Sequence, residues 1–519
     1  MKNTTTMLAC LAGLFSACAT AQPATRESAE VQAALRHGLR PSILKTGEPV
    51  PEWSLQERMA HHKVPGVAIA VLEDGVVVHA AGYGLRQAAT RDAVDADTLF
   101  SVGSISKVIA ATTTLRLVAQ GRIALDRDVN HYLKSWRVPP APEIADPVVT
   151  MRMLLSHTSG LSVHGFEDYL PGEALPTLVE TLDGKPPAKN EPVRLQREPG
   201  TLCDYSGGGV MVEQQVIEDV TGMPLATAAR AQVFDPIGMR RSTFENPLPA
   251  AHGNIAKAHD EAGRPTALPR GWQAFPEQAA SGLWTSANDL GAFVAAVIKS
   301  YRGTGTLLPR TIATQMVTEV SPCPFGLGPE LSGAGATRRF VHNGDNDSYH
   351  AAFEGYLESG DGFVILTNGK NSKQLRGEIR NALSDVLGHG VKPLIRTIAF
   401  DLRAPPYADY AGAYRIDDDV PMDFRRKLAD SFGFDALEVR LTEGTMTVSV
   451  DDEDGPESSP LLPLTPARFI APRFGIELEF HRDAHGSVRA VSIEADAART
   501  YYRRQGAERE RAAAGDAKR

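Results

Sequence analysis

Cysteine is scarce, with four in 519 residues and no Cys-x-x-Cys pair. That excludes a disulfide-built scaffold and the common zinc ribbons. No basic run is present, and 54 Lys+Arg against 63 Asp+Glu leave a net charge of −9. Nucleic acid is therefore a poor candidate for the main partner. Beyond the N-terminus no apolar run reaches the ~18 residues needed to cross a bilayer, and no segment repeats. What is there is ordinary: 42% hydrophobic and 23% charged residues. This is enough apolar material for a sizeable core and too much for a disordered chain. The length allows about three domains, or one large fold and a smaller one.

Lys2 precedes an apolar stretch, Met7 to Ala17, and Ala19-Thr20-Ala21 supplies small residues before Gln22. This predicts a signal peptide over residues 1–21 and a mature protein that is periplasmic or secreted. The alternative is a lipoprotein leader, Phe15-Ser16-Ala17 before Cys18, in which Phe15 is a poor first residue. After cleavage Cys203 and Cys323 remain. An oxidising compartment permits a bond between them, and two buried free thiols are the equal alternative.

Residues 22–50 read as a polar lead-in with one short helix. Val67 to Leu72 and Val76 to His79 flank Asp74-Gly75 and predict a hairpin. A helix is expected from Ser104 to Gln120, closed by Gly121, with further helices at Val210 to Val220 and Leu290 to Ile298. Strand signals return at Phe353 to Leu357 and Phe363 to Thr367. Strands at both ends of a helical middle predict an α/β domain, residues 51–400, whose sheet joins its two ends. A boundary falls near Ala404-Pro405-Pro406. Beyond it Leu437–Leu441, Met446–Val450, Ile476–Phe480 and Val488–Ile493 alternate with period two, with turns at Glu443-Gly444, Asp454-Gly455 and His485-Gly486. Residues 407–505 are thus expected to be an all-β domain, and 506–519 a flexible tail.

Ser104-Ile105-Ser106-Lys107 places a hydroxyl and an amine one helical turn apart. The positive end of the helix favours an alkoxide at Ser104 and disfavours an ammonium at Lys107, and burial would act in the same direction. Alone, the pattern is weak. Ser42-Ile43-Leu44-Lys45 fits it too, and Lys45-Thr46-Gly47 follows. That copy lies between Pro41 and Pro49 with no apolar helix behind it, and is rejected.

Ser104 has company. Leu154-Leu155-Ser156-His157-Thr158-Ser159-Gly160-Leu161, Tyr205-Ser206-Gly207, Ser281-Gly282-Leu283-Trp284 and His342-Asn343-Gly344 follow in order. From Pro51 to Leu387 this set resembles the serine β-lactamase and penicillin-binding-protein hydrolases, in the branch of class C β-lactamases, D-aminopeptidases, DD-peptidases and esterases. The resemblance implies an α/β (α+β) transpeptidase-like fold, with an antiparallel sheet and a helical subdomain. The C-terminal part resembles the small lipocalin-like β domain appended to many such enzymes.

The resemblance also implies roles. Ser104 would be the nucleophile, Lys107 would help deprotonate it, and Tyr205 would return the proton to the leaving group. His342 would bind a substrate carboxylate or polarise Tyr205, and Gly344 would let substrate lie along its strand. The backbone N–H groups of Ser104 and Asp345 would form the oxyanion hole. No cofactor or metal is implied, and the partner would be a small-molecule or peptide substrate. Two departures favour a peptidase or esterase over an efficient β-lactamase. Gly207 stands where the family has Asn, and His342 where it often has Lys. The Gly207-Gly208-Gly209 run is expected to include a positive φ. Other side chains have plainer readings: His157 as a structural turn, Trp284 and Phe325 as core or cleft wall. His481 and His485 beside Asp483 are not expected to hold a metal.

Overall fold

The computed structural model describes residues 26–268, 271–399, 407–416, 434–452, 455–495 and 498–505. The expected leader, the boundary at 404–406, Asp454 of the second turn and the tail lie outside them.

Strand Gly66–Glu73 is buried on both faces, and its alternation says how. Val67, Ile69 and Val71 join one apolar core, while Ala68, Ala70 and Leu72 join another. Period-two side chains therefore pack helices on both sides of the sheet. The first core is closed by Arg26–His37, Leu55–His62 and Ser372–Val386 through Val31, Leu35, Leu55, Leu375 and Ile379. The second is closed by Ala287–Arg302, which brings Phe293, Val294 and Val297. Ser286 caps that helix, its hydroxyl accepting from Asp289 N, and Gly303 ends it in the left-handed region.

The six-stranded sheet is antiparallel throughout, in the order Val76–Gly84, Gly66–Glu73, Gly362–Thr367, His350–Tyr356, Arg339–Asp345, Glu330–Ser332. Val67 pairs with Thr367, so the sheet joins the two ends of this unit as expected. The first hairpin turns at Asp74 and Gly75, both at positive φ. The rejected Ser42–Lys45 copy lies at a short strand, Ile43–Lys45, paired with Ile395–Thr397, and Asn381 Nδ2 donates to Ser42 Oγ.

Among the described residues after 406, nine antiparallel strands form one sheet. Its spatially outermost strands, Gly455–Pro460 and Leu462–Pro463, are separated in the chain only by Leu461, which gives a barrel-like meander. Tyr414, Val439, Val448, Phe469, Leu478, Phe480, Val491 and Tyr502 fill a core of its own. His481 bonds Ser492 and Asp483 pairs with Arg489 there.

Candidate active site

The short strand Phe100–Ser101 pairs with Trp284–Thr285 and then turns sharply into the helix Ile105–Ala119. The turn needs Gly103, whose φ is 49°. A Cβ there would stand 2.8 Å from Asp345 N, so the edge of the main sheet lies directly against the turn that carries Ser104. Ser106 pins the arrangement: its hydroxyl donates to Gly103 O (2.6 Å) and accepts from Leu283 N (2.9 Å).

Ser104 occupies the N-cap position, yet its hydroxyl makes no cap bond. It accepts instead from Lys107 Nζ at 3.0 Å. Lys107 is 5% exposed and also donates to the Ala280 carbonyl at 2.9 Å. Among the described residues no carboxylate pairs with it. Ala280 belongs to the helix Gln278–Ser281, so the segment containing Ser281-Gly282 supplies the acceptor that holds the lysine. Lys107 Nζ also lies 5.0 Å from the centre of the Tyr205 ring.

Tyr205 is held from several sides. Asp204 N donates to the His157 carbonyl (2.8 Å), and Ser206 N donates to His157 Nδ1 (3.3 Å). His157 sits at φ 57° in the Ser156–Gly160 turn, and its ring is 4.2 Å from that of Tyr205. Burial, reinforced by Lys107, keeps this imidazole neutral, with its pKa well below the ordinary value. A disulfide joins Cys203 to Cys323, which settles the alternative left open by the sequence. It ties the Tyr205 loop to the segment bearing Phe325, whose ring packs on both His157 and Tyr205.

Ser104, Lys107, Tyr205, Ser281 and Asp345 open together onto a cleft of about 660 Å³. The structure thus brings together Ser104, Lys107, Tyr205 and Asp345. Gly344 packs on the protein's own turn: a Cβ there would stand 1.8 Å from Val102 O, so its bare backbone makes room for that turn. Two other expectations are corrected. Gly207 is buried rather than cleft-lining, beneath His164 O and the Phe166 ring. The Gly207-Gly208-Gly209 run has no positive φ; it opens the helix Gly207–Thr221 and is small because loop 162–166 crosses it closely.

His342 lies behind the cleft, 6% exposed and 6.5 Å from the Tyr205 ring centre to centre. Burial pushes its pKa down to about 4, with Lys107 adding to the effect. Its Nδ1 donates to the Asn343 carbonyl (2.6 Å), which leaves Nε2 as a buried acceptor without a partner. A neutral ring cannot serve as the cation for a carboxylate; what it offers instead is a hydrogen-bond acceptor on a ring near Tyr205.

Several cleft residues escaped the motif reading: Asp168, Gln273, Phe275, Glu277 and Lys373. They come from segments without a recognisable pattern, so only their shared position reveals them.

Residues 54–387 match the Beta-lactamase family model. Esterase EstB of Burkholderia gladioli is 28% identical over 321 residues, covering 56% of this chain and 76% of the esterase. Penicillin-binding protein 4 of Amycolatopsis lactamdurans is 32% identical over 203 residues, 39% of this chain and 50% of that protein. A D-aminopeptidase of Gluconobacter oxydans is 26% identical over 269 residues, 51% of this chain and 48% of the relative. The chain thus spans about half the length of the latter two. Among solved structures, the octameric penicillin-binding protein homologue from Pyrococcus abyssi superposes with a TM-score of 0.56 at 20% identity, covering 86% of this chain and 98% of that one. The D-amino acid amidase of Ochrobactrum anthropi gives 0.53 at 19% identity, covering 70% and 99%. Both likenesses establish the shared fold.

Proposed function

The chain belongs to the Beta-lactamase family of serine hydrolases, and from that premise we propose an exported peptidase or amidase. It acts through a Ser104 acyl-enzyme on small peptides, with D-residues among its substrates. The carrying observation is the Lys107 amine, buried and fixed between Ser104 Oγ and the Ala280 carbonyl beside Tyr205.

Ser104 Oγ attacks the scissile carbonyl, and its proton leaves along the 3.0 Å contact with Lys107. The carbonyl oxygen becomes an oxyanion facing the N–H groups of Ser104 and Asp345. Tyr205 delivers a proton to the departing nitrogen, the C–N bond breaks, and Oγ keeps the acyl group. Water then enters by the same route and releases the acid. His342, neutral with Nε2 free to accept, supports the Tyr205 side of the site rather than the substrate carboxylate.

An ester hydrolase is the second reading, supported by the 28% identity to Esterase EstB over 321 residues. Incubation with a fluorophosphonate, followed by peptide mass spectrometry, tests the common core of both. The adduct is expected on the Ser104 peptide; an adduct elsewhere, or none, sinks the assignment. A parallel screen of D-peptides, L-peptides and nitrophenyl esters then separates the two readings by their kcat/KM.

A further inference from the structure

The cleft lining is acidic. It carries Glu167, Asp168, Glu277, Asp345 and Asp347 against two lysines, Lys107 and Lys373. Asp345 is occupied by His350 and Arg376, and Asp347 faces Lys370 at 3.4 Å. Asp168 and Glu277 have no ion-pair partner among the described residues. Lys189 stands beside them, yet its amine donates to the Asp168 carbonyl (2.8 Å) and to Glu173 (2.9 Å), not to the Asp168 carboxylate.

Backbone pairing aims these groups. Tyr169 and Ala274 form an antiparallel bridge, with N–H to O distances of 3.1 and 2.9 Å. Side chains alternate about such a bridge, so Asp168, Gln273 and Phe275 share the face opposite Tyr169 and Ala274. All three line the cleft, and the two bridge residues do not. Gln273 is 7% exposed, and its Oε1 is a buried acceptor with no partner. Glu277 is 1% exposed and immediately precedes the helix Gln278–Ser281. Three residues later, about 5–6 Å along one turn, Ala280 holds Lys107.

We propose that Asp168, Gln273 and Glu277 form a subsite for a primary ammonium group, so that the preferred substrate is an amino-acid or short-peptide amide with a free N-terminus. This rests on the Ser104 acyl-enzyme reading and names its substrate class. An ammonium brings three N–H donors and no acceptor, and the subsite brings two carboxylates and an unpartnered amide oxygen. Burying carboxylates without a cation is costly. Desolvation raises Asp168 to about 7 and Glu277 to about 8, as expected for groups whose counter-charge arrives with the ligand. The short span from Glu277 to the Lys107 anchor puts the ammonium roughly one residue from the scissile carbonyl.

The full-length protein should be assayed with alanine p-nitroanilide, free or N-acetylated, in both configurations. The free-amine form is expected to show at least tenfold higher kcat/KM. Glu277→Gln, which matches the shape of the neutral acid, should lower that preference at least tenfold, mainly through KM, and Gln273→Leu should lower it in the same direction. If either variant folds poorly, wild-type inhibition decides: n-propylammonium should compete with the free-amine substrate, and n-propanol should not. Equal turnover of free and acetylated substrates, or an unchanged preference in a folded Glu277→Gln, overturns the subsite. Fluorophosphonate labelling of Ser104 in the same preparation separates the two levels. A labelled enzyme without amine preference refutes only this inference, whereas an unlabelled one refutes the acyl-enzyme reading itself.

Discussion

His157 grips Tyr205 from both sides: its carbonyl accepts from Asp204 N, its Nδ1 accepts from Ser206 N, and its ring lies 4.2 Å from the phenol ring. His157 touches neither Ser104 nor the cleft, so it acts as a positioning residue. His157→Asn should tolerate the left-handed φ of 57° while losing the ring contact. The expected outcome is a fall in kcat of at least tenfold with a smaller change in KM, and fluorophosphonate labelling of Ser104 that persists at a reduced rate. A variant of unchanged kcat would show that Tyr205 needs no such support.

The Cys203–Cys323 bond closes a loop of 120 residues, and a covalent loop of that size typically contributes about 2–5 kcal/mol. The same bond holds the Tyr205 loop against Phe325. Cys203→Ala combined with Cys323→Ala should therefore lower Tm and also lower kcat at temperatures where the variant is fully folded. Loss of stability with kcat intact would mean that the bond acts on the global fold alone.

How much of this was legible beforehand depends on how local each feature is. The strand Gly66–Glu73 and the helix after Ser104 announce themselves by alternation and by spacing within a few residues. The same local spacing singles out Ser104 with Lys107, and the absence of a helix behind Ser42 removes the decoy. Tyr205 and His342 needed the family resemblance, since nothing local distinguishes them from packing residues. The Ala280 carbonyl could not have been read, because every residue has one. Asp168 and Gln273 meet only through the Tyr169–Ala274 bridge, a contact with no periodic signature. The glycines after Tyr205 misled for a related reason. Their smallness answers a crossing loop, not a backbone angle.

Glu213 is a second buried acid, on the Gly207–Thr221 helix, where Thr114 Oγ1 donates to it at 2.7 Å. Burial raises its pKa from 4.5 to about 8. Between those values the folded state keeps a proton that the unfolded chain has released, so stability falls as pH rises through this window, by up to about 1.4 kcal/mol per pH unit. Asp168 and Glu277 act with the same sign. The depressed His342 acts oppositely, but only as pH falls below its ordinary 6.5. Glu213→Gln keeps an acceptor for Thr114 and cannot ionise. Its Tm should match wild type near pH 5 and exceed it near pH 8.5. A Tm difference that stays constant across this range would remove Glu213 from the account.

The motif resemblance sets Gly207 where the family has Asn, and on that reading introducing Asn is the obvious route to β-lactam hydrolysis. The structure opposes it. Gly207 N donates to the His164 carbonyl at 3.1 Å, and a Cβ on Gly207 would lie 2.9 Å from that oxygen and 2.9 Å from the Phe166 ring. Loop 162–166 would have to move, and it carries His164 and Phe166 into the cleft. Nor does Lys107 lack an acceptor, since the Ala280 carbonyl already holds it. Overpacking of this kind costs about 1–3 kcal/mol. Wild-type protein should hydrolyse nitrocefin slowly, and Gly207→Asn should lower Tm without raising that rate. A variant that gains nitrocefin hydrolysis at unchanged Tm would show that the loop yields freely and that the missing amide alone limits β-lactam turnover.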